Sequence, residues 1–415
     1  MYALAVILVS LLVLVLLLRL HVRIGQAMTI SALLLAVLLR VTPGQMGAWL
    51  ATEWRDRPLT ETTPYLFISL TMLLLLVNVM GEAMGQIGLS SRLVPAMHGL
   101  FRSRRVALAA IPLVMGLLPT PGGIMLSAPM VREAGDKIGV DRSRVAAINF
   151  FFRHQWEPVW PLFPATPLIV NMLGIAPASL VLHHAALAGA GIAGGVVFLL
   201  LAGIPPRRAE HMEARAGLGT HLKDLVLVFW PILLTAVLYV KLHVPPAIGI
   251  LLAILGLLSL HRVSPRRWPA IFKAAREPDI VLLLFGALWF KLNLEAGGAV
   301  GEVVAFFQQM HMPPLLVVFM LPFLVSFSTG VTTPTVAITY PFLMPFIREG
   351  DHVLLGVETL AFAGVVFGLA ISPIHLCLAL SASYFNASLT RIILRVLPAA
   401  LCVVAAGLIT ALLVS

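Results

Sequence analysis

A series of apolar segments, most of them long enough to cross a lipid bilayer, follows along the 415 residues of this chain. A spanning helix needs about 20 apolar residues, because it rises about 1.5 Å per residue through a hydrocarbon layer about 30 Å thick. With 60% hydrophobic and 11% charged residues, a water-soluble fold cannot bury this surface. We therefore predict an all-α polytopic protein of a bacterial or archaeal inner (cytoplasmic) membrane, in contact with the lipid bilayer. The segments lie at about 2–20, 24–41, 63–84, 106–131, 145–174, 179–203, 224–241, 245–260, 277–295, 313–347, 353–386 and 391–414.

The two halves of the chain resemble each other. Glu82 and Glu295 lie in similar Glu-Ala contexts 213 positions apart, and Glu157-Pro158 precedes Ser372-Pro373 by 215 positions. Such a constant offset is typical of an internal repeat. Chance similarity between apolar segments is the alternative.

The repeats predict three parts, with bounds at 1–203, 204–223 and 224–415. The first and last are the repeats, and the polar stretch 204–223 is a cytoplasmic linker.

Each predicted repeat contains two interrupted segments. Pro, Gly and Thr residues fall midway in 106–131 and 313–347, which favours re-entrant helical hairpins over kinked spanning helices. Discontinuous helices are predicted over about 145–174 and 353–386. With both hairpins re-entrant, each half crosses the membrane an odd number of times, so the repeats are inverted. Most of the 28 Lys and Arg residues then face the cytoplasm, as expected for short loops, and both termini are extracytoplasmic.

A cluster of ionisable residues lies inside the apolar segment 145–174. Arg153, His154 and Glu157 precede Pro158, although one ionisable side chain at mid-bilayer costs about 2.5–3.5 kcal/mol on insertion scales. Arg153 is a candidate counter-charge for an anionic substrate, and His154 and Glu157 are candidate proton carriers. Alternatively, Arg153 and Glu157 share a helix face and form a structural ion pair.

Polar residues and glycines also mark the interruptions. Paired broken helices in inverted repeats indicate a secondary transporter whose site lies near the membrane midplane. Helix-packing roles are the alternative for each residue taken singly. Together with Arg153, the candidate substrate-binding residues are Thr120, Gly122, Gly123, Asn149, Ser328, Thr329, Gly330, Thr332, Thr333, Ser372 and His375.

Other function classes find little support in the sequence. A nucleophile elbow, a phosphate-binding loop and a zinc motif are all missing, so we expect no enzyme, no catalytic residues, no metal site and no cofactor beyond a coupling H⁺ or Na⁺. The formal net charge of +10 fits basic loops at a membrane better than nucleic-acid binding.

Several motifs resemble those of a known family. The run Leu118–Gly123 (Leu-Pro-Thr-Pro-Gly-Gly), the run Asn149–Glu157 with its Phe-Arg-His-x-x-Glu pattern, and Trp160–Pro164 resemble an uncharacterised integral membrane family. That family is distantly related to gluconate permeases and is placed in the ion transporter superfamily. The similarity extends over nearly the whole chain.

The resemblance implies an inverted-repeat, elevator-type transporter with a scaffold and a transport domain, usually a homodimer. Such relatives carry organic anions, generally with sodium or protons. Their substrate contacts map by position onto Thr120–Gly123, Glu157–Pro158, Ser328–Thr333 and Ser372–Pro373. The Ser-Asn-Thr tips of the dicarboxylate carriers are missing here, so dicarboxylate selectivity and their sodium sites are not implied.

The function predicted from the sequence is secondary active transport of a small anion, an organic acid or a phosphonate-like solute, as a symporter with protons or sodium. One alternative is a lipid-phosphate flippase or another lipid-handling membrane protein, in which Arg153 would hold a phosphate. A channel is a third alternative.

Overall fold

The computed structural model describes residues 2–89, 96, 103–117, 124–202, 204 and 218–414. Most of these residues lie in helices. Residues Arg348–Glu349 (β1) and His352–Val353 (β2) pair as a short antiparallel hairpin. The structure is therefore that of an all-α protein, as the apolar segments predict.

Nine helices are described before residue 204. They are α1 (Tyr2–Arg19), α2 (Ile24–Leu38), α3 (Pro43–Asp56), α4 (Thr63–Gln86), α5 (Arg104–Met115), α6 (Ile124–Lys137), α7 (Arg142–Arg153), α8 (Ala165–Leu173) and α9 (Pro177–Gly195). The last of them continues into a π-helical turn, Val196–Leu201, and short 3₁₀ turns occupy Leu59–Glu61 and His154–Trp156.

Ten helices are described after residue 217. They are α10 (Leu218–Leu242), α11 (Pro246–Leu260), α12 (Trp268–Ala274), α13 (Pro278–Ala296), α14 (Ala299–Gln309), α15 (Pro314–Thr329), α16 (Thr332–Ile347), α17 (Leu355–Ile371), α18 (Leu376–Tyr384) and α19 (Leu389–Leu413). A 3₁₀ turn, Pro265–Arg267, precedes α12. Most of the predicted linker, residues 205–217, lies outside the described residues.

Six helical stretches in the described part of the chain are long and apolar enough to cross a membrane. Two bent helix pairs raise that number to eight when each is counted as one span: α2 with α3, at 106°, and α13 with α14, at 70°. These features fit a multi-pass membrane protein. The six stretches are Tyr2–Arg19, Thr63–Gln86, Pro177–Leu201, His221–Leu242, Leu355–Tyr384 and Leu389–Leu413.

Local sequence signals explain where key helices begin. Thr42 caps α3, since its side chain accepts from the Gln45 backbone N–H while the Gln45 side chain accepts from Thr42, and Pro43 occupies the first turn. Asp141 caps α7 by accepting from the Arg144 N–H. This cap fixes the start of the helix that carries Arg153.

Small residues allow the helices nearest the site to pack closely. A Cβ on Gly364 would lie 2.4 Å from the Phe319 carbonyl oxygen, and one on Gly368 would lie 2.6 Å from that of Phe323. Helices α15 and α17 therefore approach backbone to backbone, as small residues permit in membrane proteins. This packing holds the end of α17, at Ile371, beside the end of α15, at Thr329.

Both predicted discontinuous helices are interrupted. In the first, α7 and α8 are separated by residues 154–164, and in the second, α17 and α18 are separated by residues 372–375. Helices α5 and α6 pack against each other, as do α15 and α16. Residues 118–123, the predicted tip of the first hairpin, lie outside the described residues. The second predicted tip is the Gly330–Val331 connection between α15 and α16.

Candidate functional site

Helix α7 carries the ionisable cluster into the interior of the protein. Residues 145–153 are all buried, and the α-helix ends at Arg153. A 3₁₀ turn over His154–Trp156 follows. The α-helix therefore ends before Glu157, and the 3₁₀ turn connects Arg153 to it.

The side chain of Arg153 is anchored to the end of α5. It is 5% exposed, and its Nη1 donates to the Met115 carbonyl oxygen at 2.8 Å. It interacts electrostatically with Cys377 and Glu157. Among the salt bridges within 4.0 Å that the described residues form, none joins Arg153 to Glu157. The guanidinium thus lies between a helix end and the opposite half of the chain.

Two further contacts fix the first interruption against α5. Trp156 Nε1 donates to the Leu113 carbonyl oxygen at 2.7 Å. Gly116 leaves room for the chain at Arg153, since a Cβ there would lie 2.2 Å from the Arg153 carbonyl oxygen. The end of α5 and the interruption after α7 therefore form one packed unit.

His154 and His375 meet from opposite halves of the chain. Their Nε2 atoms are 3.2 Å apart, and the ring of Phe150 packs against both imidazoles at centroid distances of 4.7 and 5.5 Å. His154 Nδ1 lies 2.7 Å from the Phe150 carbonyl oxygen, and His375 Nδ1 lies 2.7 Å from that of Gly330. The two interruptions thus join at a histidine pair.

The second interruption is packed against the end of α15. Ser372 is fully buried, and its hydroxyl donates to the Phe327 carbonyl oxygen at 2.7 Å. Gly330 has a φ of +67°, and a Cβ there would lie 2.9 Å from His375 Cα. Only glycine combines this backbone conformation with so close an approach.

The hydroxyl-bearing residues predicted at the second tip differ in their hydrogen-bond partners and in their burial. Thr329 Oγ1 donates within its own helix to the Val325 carbonyl oxygen at 2.9 Å. Thr332 and Thr333 are buried at the start of α16, and Ser328 is half-buried. The structure therefore brings Gly330, Ser372 and His375 together, whereas the Thr329 hydroxyl is engaged in its own helix.

Of the remaining candidate substrate-binding residues in the first half, the structure describes only Asn149. Asn149 is fully buried, accepts from the Ser127 hydroxyl at 2.6 Å and donates to the Ile124 carbonyl oxygen at 3.4 Å. Its amide therefore ties α7 to the start of α6. Thr120, Gly122 and Gly123 lie outside the described residues.

Glu157 lies at a small internal cavity. The residue is only 7% exposed. Its Oε2 is buried and has no hydrogen-bond partner in the described part of the protein. Burying a carboxylate oxygen without a partner is costly, so such an atom indicates a ligand, a water molecule or a proton at this place. The cavity is lined by Phe150, Phe151, His154, Gln155, Glu157, Val366, Leu369 and Ala370.

A larger cleft of about 600 Å³ lies among α2, α4, α12, α13 and the start of α18. It extends to Leu376, the residue that follows His375, and it includes Asn78 and Glu82 of α4. Its other lining residues are Ile24, Gly81, Ala274, Ala275, Arg276, Glu277, Asp279, Ile280 and Leu283. The cleft is large enough for a small organic solute.

A second charged cluster lies around Lys291 in α13. Its ammonium group is 2.8 Å from Glu295 Oε2, 3.5 Å from Glu53 Oε1 and 3.4 Å from Thr63 Oγ1. Glu53 is 1% exposed and was not singled out from the sequence, since it lies in the amphipathic helix α3. A cavity of about 250 Å³ adjoins the cluster and contains Arg57, Glu61, Met172, Lys291, Glu295, Met344 and Arg348.

Sequence reasoning also missed a buried triad of His184, Glu358 and Tyr340. Glu358 accepts from the Tyr340 hydroxyl at 2.7 Å and lies 2.8 Å from His184 Nε2. The other nitrogen of His184 lies 2.8 Å from the Pro158 carbonyl oxygen, directly behind Glu157. The available signal was a lone histidine and a lone glutamate, each within an apolar segment.

A family model described as "Protein of unknown function (DUF401)" matches residues 2–414. No curated protein matches the chain at a significant level.

Proposed function

Since the chain belongs to the DUF401 family over nearly its whole length, and that description carries no activity, we propose its function from the site itself. The protein is a secondary transporter of a small anionic solute. Its substrate binds where the two interrupted helices and the end of α15 meet. Coupling to protons through His154 and Glu157, or to sodium, remains a prediction from the sequence.

The observation that carries the proposal is the contact between the two interruptions. His154 and His375 are 221 positions apart, yet their Nε2 atoms are 3.2 Å apart. Interrupted helices expose backbone groups that an intact helix would satisfy internally, and transporters use such groups to bind solutes. A simple membrane anchor or scaffold has no need to bring two such interruptions together.

The charges and helix ends at the junction favour an anion. Arg153 supplies a buried guanidinium, whose planar fork suits a carboxylate or a phosphonate. Helices α16 and α18 begin beside the junction, at Thr332 and Leu376. The N-terminus of a helix carries a partial positive charge and unpaired N–H groups, both of which attract anions.

Equivalent contacts in the two halves support an inverted-repeat, elevator-type arrangement. In the first half Trp156 donates to the Leu113 carbonyl oxygen, and in the second half Ser372 donates to the Phe327 carbonyl oxygen. The donors are 216 and the acceptors 214 positions apart, close to the offset of the sequence landmarks. The homodimer implied by the family resemblance belongs to the same proposal.

The cleft beside Leu376 provides the route to the site. It includes Arg276, the last residue of the basic loop 261–276 that is predicted to be cytoplasmic, and the neighbouring Glu277. We therefore assign the described conformation as open toward the cytoplasm. Substrate released from the junction would leave through this cleft.

The test is uptake by reconstituted protein. A thermal-shift screen first selects solutes among sugar acids, other carboxylates and phosphonates. A bound solute should raise the melting temperature in proportion to the logarithm of its concentration. Uptake of the selected solutes into proteoliposomes is then measured. We expect Arg153→Ala to abolish uptake and Arg153→Lys to reduce it, because lysine lacks the bidentate fork. Exposed Arg391→Ala is the matched control and should transport normally. Uptake that persists in Arg153→Ala for every transported anion would refute the binding role.

Lipid-phosphate translocation is the alternative function, and the same reconstituted protein can be assayed for it. Such a protein needs a groove open to lipid beside Arg153, whereas this side chain is 5% exposed and lies between packed helices. Movement of a fluorescent lipid phosphate across the vesicle membrane, with no uptake of soluble anions, would favour the alternative.

A further inference from the structure

The hydrogen bonds of His154 and His375 determine where their hydrogens lie. Each Nδ1 is 2.7 Å from a backbone carbonyl oxygen, of Phe150 and of Gly330 respectively. A carbonyl oxygen can only accept, so each Nδ1 carries a hydrogen. In the neutral rings both Nε2 atoms therefore present lone pairs, and these atoms are 3.2 Å apart. Two acceptors at this distance repel each other unless a cation lies between them.

The spacing matches that of two ligands on one metal ion. Zn–N bonds of about 2.0–2.1 Å at a tetrahedral angle separate the two nitrogens by about 3.3 Å. Histidines that bind a metal almost always donate their other ring N–H to a carbonyl or a carboxylate, which fixes the tautomer. His154 and His375 both have this second hydrogen bond. The pair is thus already arranged as metal ligands are.

Cys377 supplies a third ligand atom. The two Nε2 atoms and Cys377 Sγ all lie within 4.8 Å of one another. Bound nitrogen and sulfur ligands are about 3.6 Å apart, a separation that lies within this limit.

We propose that His154, His375 and Cys377 form a metal-ion site for Zn²⁺ at the junction of the two interruptions. Imidazole and thiolate ligands together suit Zn²⁺ better than Mg²⁺ or Ca²⁺, which prefer oxygen ligands. Three protein ligands leave the fourth position open to water or to an anion. The Oε2 of Glu157, without a partner among the described residues, lines the same small cavity as His154.

The site links the two halves of the chain. Its ligands come from the turn after α7 and from the start of α18, so a bound ion would hold the two interruptions together. A bound metal would also occupy the His154 lone pair and would replace the proton-carrier role predicted for that residue. The metal site rests on ligand geometry alone and does not depend on anion transport.

The test uses Co²⁺ as a spectroscopic substitute for Zn²⁺ in the full-length protein, purified in detergent and stripped with a chelator. We expect one Co²⁺ per chain, visible d–d bands, a thiolate-to-cobalt charge-transfer band in the near ultraviolet, and loss of all bands when Zn²⁺ is added. Cys377→Ser should lose the charge-transfer band. His375→Gln should weaken Co²⁺ binding by more than the roughly 10–100-fold that loss of an outer-shell partner costs.

Two matched variants control for changes elsewhere. Cys402→Ser removes the other cysteine, and His183→Gln removes a histidine whose Nδ1 is bonded within its own helix, to the Ser179 carbonyl oxygen; both should bind Co²⁺ like the unmodified protein. Zn²⁺ should also raise the melting temperature of the unmodified protein but not that of Cys377→Ser. Substoichiometric Co²⁺ binding, or a charge-transfer band that survives Cys377→Ser, would overturn the proposal and leave a histidine pair that shares a proton.

Discussion

His184 Nε2 lies 2.8 Å from Glu358 Oε2 in the interior of the protein, and neither residue is more than 1% exposed. His184 Nδ1 lies 2.8 Å from the Pro158 carbonyl oxygen, so this nitrogen carries a hydrogen. The Nε2–Oε2 contact then holds one further hydrogen, as an imidazolium–carboxylate pair or as a neutral imidazole and a carboxylic acid. In either form the triad connects α17 to the chain directly behind Glu157.

The first prediction concerns this pair. Glu358→Ala should destabilise the protein by about 3–5 kcal/mol, because it removes one partner of a buried, hydrogen-bonded pair and also the acceptor of Tyr340. Glu358→Gln should cost less, since its amide can donate to a neutral His184. Melting temperatures in detergent measure both. Exposed Glu349→Ala is the control, and an equal loss in Glu358→Ala and Glu349→Ala would contradict the prediction.

A second prediction separates backbone strain from close contact at the second tip. Gly330 and Gly298 share a φ of +67°, but a Cβ on Gly330 would lie 2.9 Å from His375 Cα, whereas a Cβ on Gly298 meets nothing within 4 Å. In both alanine variants the left-handed backbone conformation should lower the free energy of unfolding by about 1–2 kcal/mol. Only Gly330→Ala should also displace His375 and reduce anion uptake. Equal uptake by the two variants would show that the contact has no functional effect.

A third prediction concerns Gln155, which lies inside the first interruption. A Cβ on Gly191 of α9 would lie 1.8 Å from Gln155 Oε1, whereas a Cβ on Gly189 of the same helix meets nothing within 4 Å. Gly189→Ala should leave uptake unchanged and stabilise the helix by about 0.5–1 kcal/mol. Gly191→Ala should lower both the melting temperature and uptake, because Gln155 must move. Normal uptake by Gly191→Ala would contradict this.

A fourth prediction concerns the pH dependence of stability at Glu61, which lies outside the membrane-spanning helices. Burial raises the pKa of Glu61 from its ordinary value of 4.5, against the lowering effects of Arg348 and Arg57. A carboxyl group with a raised folded-state pKa stabilises the fold at low pH, and this contribution is lost as the pH rises through that pKa. The melting temperature should therefore fall less between pH 4 and 7 in Glu61→Gln than in the unmodified protein. Glu349→Gln should keep the full pH dependence, and identical curves for all three proteins would refute the role of Glu61.

Local patterns in the sequence were sufficient to predict the class of protein and the positions of several helix ends. Hydropathy predicts the membrane helices, since lipid admits only apolar segments whose backbone is satisfied internally. Proline marked the interruptions that the structure has after Arg153 and after Ile371. The cost of burying charge singled out Arg153, His154 and Glu157.

Other predictions depended on geometry that spacing alone does not fix. Arg153 and Glu157 were expected on one helix face, but the α-helix ends at Arg153. Asn149 was a candidate substrate ligand, and its amide is bonded to Ser127 and Ile124. In both cases the sequence showed a polar residue within an apolar segment, while its partner depended on where a helix ended or which neighbour packed against it.

By itself the sequence determined that this protein spans a membrane, that helices are interrupted after Arg153 and Ile371, and that Arg153 and Glu157 are buried charged residues. Only the tertiary structure decided that His154 meets His375, that Lys291 meets Glu53, and that His184 meets Glu358. These partners are 221, 238 and 174 positions apart. The physical reason is that hydropathy records how each segment partitions into lipid, whereas the contacts between helices depend on the close packing of particular side chains across the fold.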